Sequence, residues 1–295
     1  MKYVITGSIG HISKPIVTEL VKEKHQVTVI TSNSERIAEI QSLGAQAAVG
    51  SVEDIAFLTK TFTGANAVYT MVPPTMSAPD LKKHIGTIGE NYAAAIKASA
   101  VKNVVNLSSI GAHMAEGCGP VSGIFFVEKA LNSLENVNVK HLRPGYFYYN
   151  LFANINLIKN MNIIGSNYDE NTSIVFADTS DIAVVAAEEL LNLSFTGKTI
   201  RYIASDERKA KEVAGVIGNA IGKPQLPWIN FPDEQTLGGM LQAGLPNEIA
   251  KNYVEMGTAL RSGEMITDYH KNRPANFGKI KLEDFAKTFA AAYNA

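Results

Sequence analysis

A glycine-containing turn between two apolar segments occupies residues 1–13, which read MKYVITGSIGHIS. Tyr3 to Ile5 form a β-branched and aromatic run that is typical of a buried strand. Pro15, followed by apolar residues at helical spacing, predicts a helix directly after the turn. The N-terminus of such a helix offers unpaired backbone N–H groups and the positive end of its dipole, which suits a pyrophosphate. The start of the chain therefore predicts a dinucleotide-binding turn.

The small residues of this turn have separate expected roles. Gly7 permits the tight turn, and Gly10 lets the backbone approach phosphate groups closely. Ser13 stands where a third glycine usually serves tight packing of helix on strand, and serine is a tolerable replacement there. His11 lies within the turn and is a candidate for contact with a phosphate.

Strand and helix patterns alternate along the first 145 residues. Six predicted strands cover residues 3–5, 26–31, 45–49, 67–72, 104–107 and 139–142. This alternation predicts an α/β fold, a doubly wound parallel sheet of the Rossmann type with right-handed crossovers, over residues 1–150. Such a sheet binds its ligand at the carboxyl ends of the strands. Thr31, Ser32, Asn33, Ser108 and Ser109 follow strands and are therefore predicted to face a cofactor or substrate.

The alternation weakens after Gly145. Residues 146–161 are predicted to be helical, residues 173–176 and 199–203 to be strands, and residues 179–193 to form a helix. We expect elements within 178–204 to complete the nucleotide-binding domain. The rest of 151–295 is predicted to be a smaller, mainly helical α/β lobe that binds the substrate.

Composition narrows the function classes. The chain has 295 residues, of which 46% are hydrophobic and 19% charged, as expected for a globular protein with a substantial core. A net charge of −1 gives no attraction to nucleic acid or to an anionic membrane, and no apolar run is long enough to span one. The histidines lack metal-ligand spacing, so no metal site is predicted.

The single Cys118 and the absence of a leader pattern predict a cytoplasmic protein. Cys118 is either exposed and redox-active or, since it has no basic neighbour, inert.

The end of the second predicted strand bears on the choice of dinucleotide. An NAD site usually has an acidic residue there for the ribose 2′-hydroxyl, but this chain has Thr31, Ser32, Asn33 and Ser34. Arg36 could stabilise a 2′-phosphate, or it could equally be a solvated side chain of a first helical turn. The missing acid favours NADP over NAD.

Four ordered stretches resemble a known family: TGSIGHIS, GSVEDIAFLTKTFTGANAV, AAAIKASAVKNVVNLSS and HLRPGYFYYN, with RPANFGKIKLEDFAKTF near the end. Together they resemble the NmrA-like branch of the atypical short-chain dehydrogenases over nearly the whole chain, and within it the NAD(P)H-dependent quinone oxidoreductases of type 2. The resemblance implies a set of cofactor-binding residues: Gly7, Ser8, Ile9, Gly10, His11, Ile12, Arg36, Ser51, Val52, Met71, Val72, Pro73 and Pro74. It implies a substrate end formed by Tyr146, Phe147 and Asn150. Two of the four consecutive aromatic residues 146–149 are expected to be core residues.

The chain departs from the short-chain dehydrogenases at the catalytic pair. Their Tyr-x-x-x-Lys pair falls at Pro120 and Ile124, while Phe125 and Lys129 have the right separation in the wrong register. The usual proton-transfer machinery for alcohols and ketones is therefore missing, and the catalytic residues are unknown. Solvent, Tyr146 and Tyr149 remain candidate proton donors.

Two functions are compatible with these features. The first is an NAD(P)H-dependent reductase of a small conjugated acceptor such as a quinone, because the cofactor carries the hydride chemistry. The second is a non-catalytic NAD(P)-sensing regulatory protein that acts through a protein partner. Neither needs nucleic acid or a membrane, and a homodimer is left open.

Overall fold

The computed structural model describes residues 1–295 and contains twelve strands. The strands are β1 (Lys2–Ile5), β2 (Gln26–Thr31), β3 (Gln46–Val49), β4 (Ala67–Thr70), β5 (Asn103–Leu107), β6 (Asn138–Pro144), β7 (Tyr146–Phe147), β8 (Ile164–Ser166), β9 (Ser173–Ala177), β10 (Lys198–Ile203), β11 (Asp206–Lys209) and β12 (Trp228–Asn230). The helices are α1 (Ser13–Lys22), α2 (Ile37–Ser42), α3 (Ile55–Phe62), α4 (Leu81–Ser99), α5 (Pro120–Asn132), α6 (Ile155–Met161), α7 (Thr179–Asn192), α8 (Ala210–Ala220), α9 (Asp233–Gln242), α10 (Asn247–Ser262), α11 (Thr267–Lys271) and α12 (Leu282–Asn294). Short 3₁₀ segments cover Ser34–Arg36, Tyr148–Asn154 and Glu264–Ile266.

Seven parallel strands form the central sheet in the order β10-β6-β5-β4-β1-β2-β3. The chain starts in the middle of the sheet, builds β2 and β3 on one side, and then crosses to β4 on the other. This reversal creates a crevice at the carboxyl ends of β1 and β4, where doubly wound sheets bind ligands. The predicted α/β fold with its six N-terminal strands is confirmed.

Helices cover both faces of this sheet. Helices α1 and α7 pack on one face, over a core that includes Tyr3, Ile5 and Val29. Helices α3, α4 and α5 pack on the other, over Val4 and Val68. Successive β1 residues thus point to opposite cores, as the two-residue period of a strand requires. Burial on both faces explains why the central strands β1 and β4 are largely apolar.

The residues after Gly145 form two small sheets and a third core. Strands β11, β9 and β7 form one sheet, and β12 pairs with β8 in the other. The ring of Tyr148 stacks between those of Phe176 and Phe285, at centroid distances of 5.1 and 5.2 Å. Strand β10 lies at the edge of the central sheet beside β6, and α7 packs against α1. The assignment of a separate substrate lobe to 151–295 stays a prediction.

The expectation of a helix over residues 146–161 is wrong at its start. Tyr146 and Phe147 pair with Phe176 and Ala177 as strand β7, a 3₁₀ segment follows, and only Ile155–Met161 is α-helical. Tyr148 is the one fully buried ring of the four consecutive aromatic residues, where two were expected. Backbone pairing with β9, a contact distant in sequence, overrides the local pattern.

Helix α10 joins the C-terminal part to α4. The Lys82 ammonium lies 2.6 Å from the Glu255 carboxylate, and the Leu81 backbone N–H donates to the Glu248 carboxylate at 3.1 Å. None of the helices is both long enough and apolar enough to cross a bilayer.

Candidate functional site

A cleft of about 320 Å³ opens across the carboxyl ends of β1, β2, β3 and β4. Nine of the predicted cofactor residues line it: Gly7, Ser8, Thr31, Ser32, Ser51, Val52, Met71, Pro73 and Pro74. Residues from four separate strand ends are therefore brought to one cleft, as the parallel sheet predicts.

Six further residues also line the cleft: Ile30, Gly50, Glu53, Thr75, His84 and Ile88. Gly50 directly follows a predicted strand, and sequence reasoning did not select the other five. His84 and Ile88 lie four residues apart on α4 and therefore share a helix face. That spacing is the only local signal for them.

The turn after β1 is held in an unusual backbone conformation. Gly7 has a φ of +86°, and a Cβ atom there would lie 2.8 Å from Ser13 Oγ and 2.9 Å from Met71 Cγ. Ser8 also has a positive φ, +55°, which costs free energy in a non-glycine residue. Its backbone N–H donates to Ile30 O at 3.1 Å and its hydroxyl to Thr31 Oγ1 at 3.1 Å. These bonds fix the turn against β2.

Gly10 leaves space that the protein itself does not fill. A Cβ atom at this position would have Gly7 O as its nearest neighbour, at 3.5 Å, which is ordinary contact. Gly10 is exposed in the turn three residues before α1, and its φ is not positive. Neither packing nor backbone strain therefore requires glycine here. The vacant space beside a helix N-terminus fits the pyrophosphate of a dinucleotide.

Ser13 stands in place of the expected third glycine and forms a buried hydrogen bond. Its hydroxyl donates to Thr6 O at 3.0 Å, and the residue is only 3% exposed. The serine side chain thereby satisfies a carbonyl just after β1, so the departure from the glycine pattern keeps the helix against the strand.

The remaining predicted cofactor residues lie outside the cleft lining. Ile9 and Ile12 are buried below the turn in the α1-side core, and Val72 packs on the opposite core. His11 is exposed, and its ring centroid lies 5.9 Å from that of Tyr149. Asn33 is exposed and accepts a hydrogen bond from the Glu35 backbone N–H at 2.9 Å, so it begins the 3₁₀ segment.

Arg36 belongs to a group of charged side chains next to the end of β2. Its guanidinium lies 3.1 Å from one Glu39 carboxylate oxygen, and the Lys14 ammonium lies 3.0 Å from the other. The hydrogen bond from Lys14 is the main cause of a lowered Glu39 pKa. All three side chains are between 38% and 51% exposed.

Aromatic side chains surround the region beyond β6. Tyr146 and Phe147 are half-buried and Tyr149 is exposed, with 5.5 Å between the ring centroids of Phe147 and Tyr149. Burial raises the pKa of Tyr146 and, to a smaller extent, that of Tyr149. Asn150 is half-buried, and the Ser109 hydroxyl donates to Ile110 O at 3.0 Å.

Ser108 joins a buried charged network that sequence reasoning missed. Its hydroxyl donates to Glu128, whose carboxylate also accepts two hydrogen bonds from Arg143, at 2.9 and 2.6 Å. Arg143 further contacts Asp268 at 2.8 Å, and the Tyr202 hydroxyl donates to the same Asp268 oxygen at 2.6 Å. Because Ser108 is 6% exposed and bonded here, its place is behind the cleft.

Cys118 and Trp228 are both buried in the hydrophobic core. Cys118 is fully buried, and burial raises its pKa to about 12, which supports the inert interpretation. Trp228 is also buried, and its indole N–H donates to Tyr168 O at 2.9 Å. Core packing accounts for both residues.

Comparisons with known proteins agree with this geometry. An NAD(P)H azoreductase from Xenophilus azovorans is 23% identical over 296 residues, which cover 99% of each chain. An Escherichia coli NADPH-dependent quinone oxidoreductase in complex with NADPH superposes with a TM-score of 0.83 and 18% identity, over 97% of this chain and 99% of that one. A Citrobacter sp. triphenylmethane reductase gives a TM-score of 0.82 and 17% identity, over 99% and 100%. The NmrA-like family model matches residues 2–274, and the chain therefore belongs to the NmrA-like family.

Proposed function

We propose that the protein binds NADPH and transfers hydride to a small conjugated acceptor such as a quinone. The observation that carries the proposal is the cleft across four strand ends, with vacant space beside it at Gly10. A bound nicotinamide dinucleotide supplies the hydride. The residues of this chain then have to bind the dinucleotide and hold an acceptor ring against it.

The surroundings of β2 support NADPH over NADH. Thr31 and Ser32 bring hydroxyl groups to the cleft where an NAD site usually has a carboxylate for the 2′-hydroxyl. Arg36 and Lys14 lie just beyond, and both can donate charged hydrogen bonds to a 2′-phosphate.

The aromatic residues beyond β6 support a flat, conjugated acceptor. Tyr146, Phe147 and Tyr149 offer ring faces and edges for stacking, and Ser109 and Asn150 offer polar groups nearby. The names of the relatives specify an azo compound, a quinone and a triphenylmethane dye as acceptors. These acceptors share extended conjugation, which is the substrate class proposed here.

No side chain at the usual catalytic positions of α5 can give up a proton. Pro120 and Ile124 replace the phenol and ammonium groups, and the phenols of Tyr146 and Tyr149 are weaker acids than free tyrosine because burial raises their pKa values. A quinone that gains a hydride becomes a hydroquinone monoanion, which needs one proton to complete the reaction. We propose that water supplies this proton.

Calorimetric titration with NADPH and NADH, followed by measurement of NADPH oxidation with and without benzoquinone, tests the proposal. The expected result is NADPH binding and quinone-dependent oxidation. Binding without oxidation would favour the regulatory alternative from the sequence, and failure to bind either dinucleotide would refute both functions.

A glycine substitution tests where the dinucleotide lies. Gly10→Ala should weaken NADPH binding at least about tenfold, which corresponds to ~1.4 kcal/mol, because the added methyl group enters the space proposed for the pyrophosphate. The thermal midpoint should remain near that of the wild type, since a Cβ at Gly10 makes only ordinary contacts. Gly215→Ala on α8 is the matched control, because a Cβ there also meets no clash. Equal affinities in the two variants would place the pyrophosphate elsewhere.

A further inference from the structure

Two cationic side chains, one from α1 and one from the segment after β2, contact the same carboxylate on α2. Glu39 on α2 accepts from Lys14 on α1 through one oxygen, at 3.0 Å, and from Arg36 through the other, at 3.1 Å. We call these residues the Lys14–Glu39–Arg36 cluster. Two cations and one carboxylate leave the cluster with a net charge of +1.

None of the three residues lines the cleft itself, but the backbone segments that carry the two cations adjoin it on the side of β2. The backbone N–H of Lys14 donates to Gly10 O at 3.0 Å, which places Lys14 in the first turn after the glycine loop. Arg36 ends the 3₁₀ segment that follows β2, only four residues after Ser32 in the cleft lining. Both cations therefore lie close to the end of β2, where the adenine ribose of a dinucleotide is expected.

We propose that Glu39 lowers the selectivity for NADPH over NADH, by repelling a 2′-phosphate and by competing with that phosphate for Lys14 and Arg36. This inference rests on the proposed function, since it requires that the cleft binds a nicotinamide dinucleotide. Glu39 is a specificity-determining residue in this view, while the two cations provide the attraction.

The solvent exposure of the three side chains indicates whether Glu39 acts mainly by orienting the cations or by competing with the phosphate. With all three side chains between 38% and 51% exposed, each ion pair is weak and easily exchanged, so Glu39 contributes little by orienting its partners. A carboxylate within several ångströms of a phosphate dianion repels it even through water. Removing the negative charge should therefore strengthen NADPH binding.

The test compares dissociation constants for NADPH and NADH by calorimetry. Glu39→Gln should tighten NADPH binding about five- to tenfold at low salt and leave NADH binding unchanged, because a 2′-hydroxyl carries no charge. Lys14→Gln and Arg36→Gln should each weaken NADPH binding about threefold or more and leave NADH unchanged. The gain in Glu39→Gln should shrink as ionic strength rises.

Glu19→Gln serves as the matched control. Glu19 forms the same kind of exposed ion pair, with Lys22 at 3.0 Å, but in the second half of α1 and away from the glycine turn. Its removal should change neither dissociation constant. An unchanged or weaker NADPH affinity in Glu39→Gln would overturn the inference while leaving the proposed function intact. If the wild type binds neither dinucleotide, the proposed function itself fails.

Discussion

His141 lies in a line of buried polar side chains that crosses β4, β5 and β6. The Thr70 hydroxyl donates to Asn106 Oδ1 at 2.9 Å, and Asn106 Nδ2 lies 3.1 Å from His141 Nδ1. On the other side of the ring, His141 Nε2 lies 2.9 Å from Asn132 Oδ1. These partners assign a neutral imidazole in which Nδ1 accepts from the Asn106 amide and Nε2–H donates to Asn132. A proton on Nδ1 would face an amide donor inside the protein.

Burial disfavours the charged imidazolium and lowers the pKa of His141 from 6.5 to about 4. Below pH 6.5 the unfolded chain takes up a proton that the folded protein does not, so the free energy of unfolding falls as the pH falls toward 4. A difference of this size in pKa corresponds to a loss of about 2 kcal/mol at pH 5 relative to pH 7.5, from this residue alone. Above pH 7 the imidazole is neutral in both the folded and the unfolded protein, so its titration should no longer affect the free energy of unfolding.

Urea unfolding of the wild type and of His141→Asn, at pH 7.5 and at pH 5, measures this contribution. Asparagine keeps an amide in the polar line and does not titrate, and carboxylates with lowered pKa values lose stability equally in both proteins. The wild type should lose about 2 kcal/mol more than the variant on acidification. An equal loss in both proteins would show that His141 is protonated in the folded state and would refute the assigned hydrogen bonds.

Two further predictions concern buried carboxylates. Glu128→Gln should lower the free energy of unfolding by about 3 kcal/mol, because it leaves the buried Arg143 guanidinium without its closest charged partner. Glu188→Gln, which removes an exposed ion pair, should cost less than about 1 kcal/mol in the same urea titration, and equal costs would contradict the argument. Asp181→Ala should release residues 278–281, since the Asp181 carboxylate accepts two of their backbone N–H groups at 3.0 and 3.2 Å. Faster proteolytic cleavage within that segment, at unchanged far-UV circular dichroism, is the expected result; protection equal to the wild type would contradict it.

The central sheet could be predicted because its signals are local. Most of the six N-terminal strands contain a short apolar run that ends within two residues of a glycine, serine or proline, and burial on both faces favours such runs. The carboxyl ends of parallel strands share one edge, so the residues after each run were predicted to lie together. Nine of them line the cleft.

The C-terminal half was harder to predict because its strands depend on distant partners. Strand β11 reads Asp-Glu-Arg-Lys and has no intrinsic strand preference. It pairs with β9 about 30 residues earlier, and Arg208 bridges Asp206 and Glu283. Pairing with β9 also explains why the aromatic residues at the start of the predicted helix, from Tyr146, form strand β7 instead. Local periodicity carries no information about such partners.

Helix α4 illustrates the same limit within the candidate site. His84 and Ile88 reach the cleft because the segment after β4 carries the start of α4 back over the strand ends. The path of that segment depends on Pro73, Pro74 and on the capping of α4 by Asp80, which accepts from the Lys83 backbone N–H at 2.9 Å. The direction of a helix after such a segment depends on tertiary packing and has no local sequence signal.

Three serines of the predicted cofactor site form hydrogen bonds within the protein. Ser13 donates to Thr6 O, Ser8 donates to Thr31, and Ser51 Oγ accepts from the Glu53 backbone N–H at 3.1 Å. Each therefore has an intramolecular partner that stabilises the turn or strand end on which it lies. The departure from the glycine pattern at Ser13 is thus compensated by a hydrogen bond within the fold, so a motif of this kind can change one residue without losing the turn.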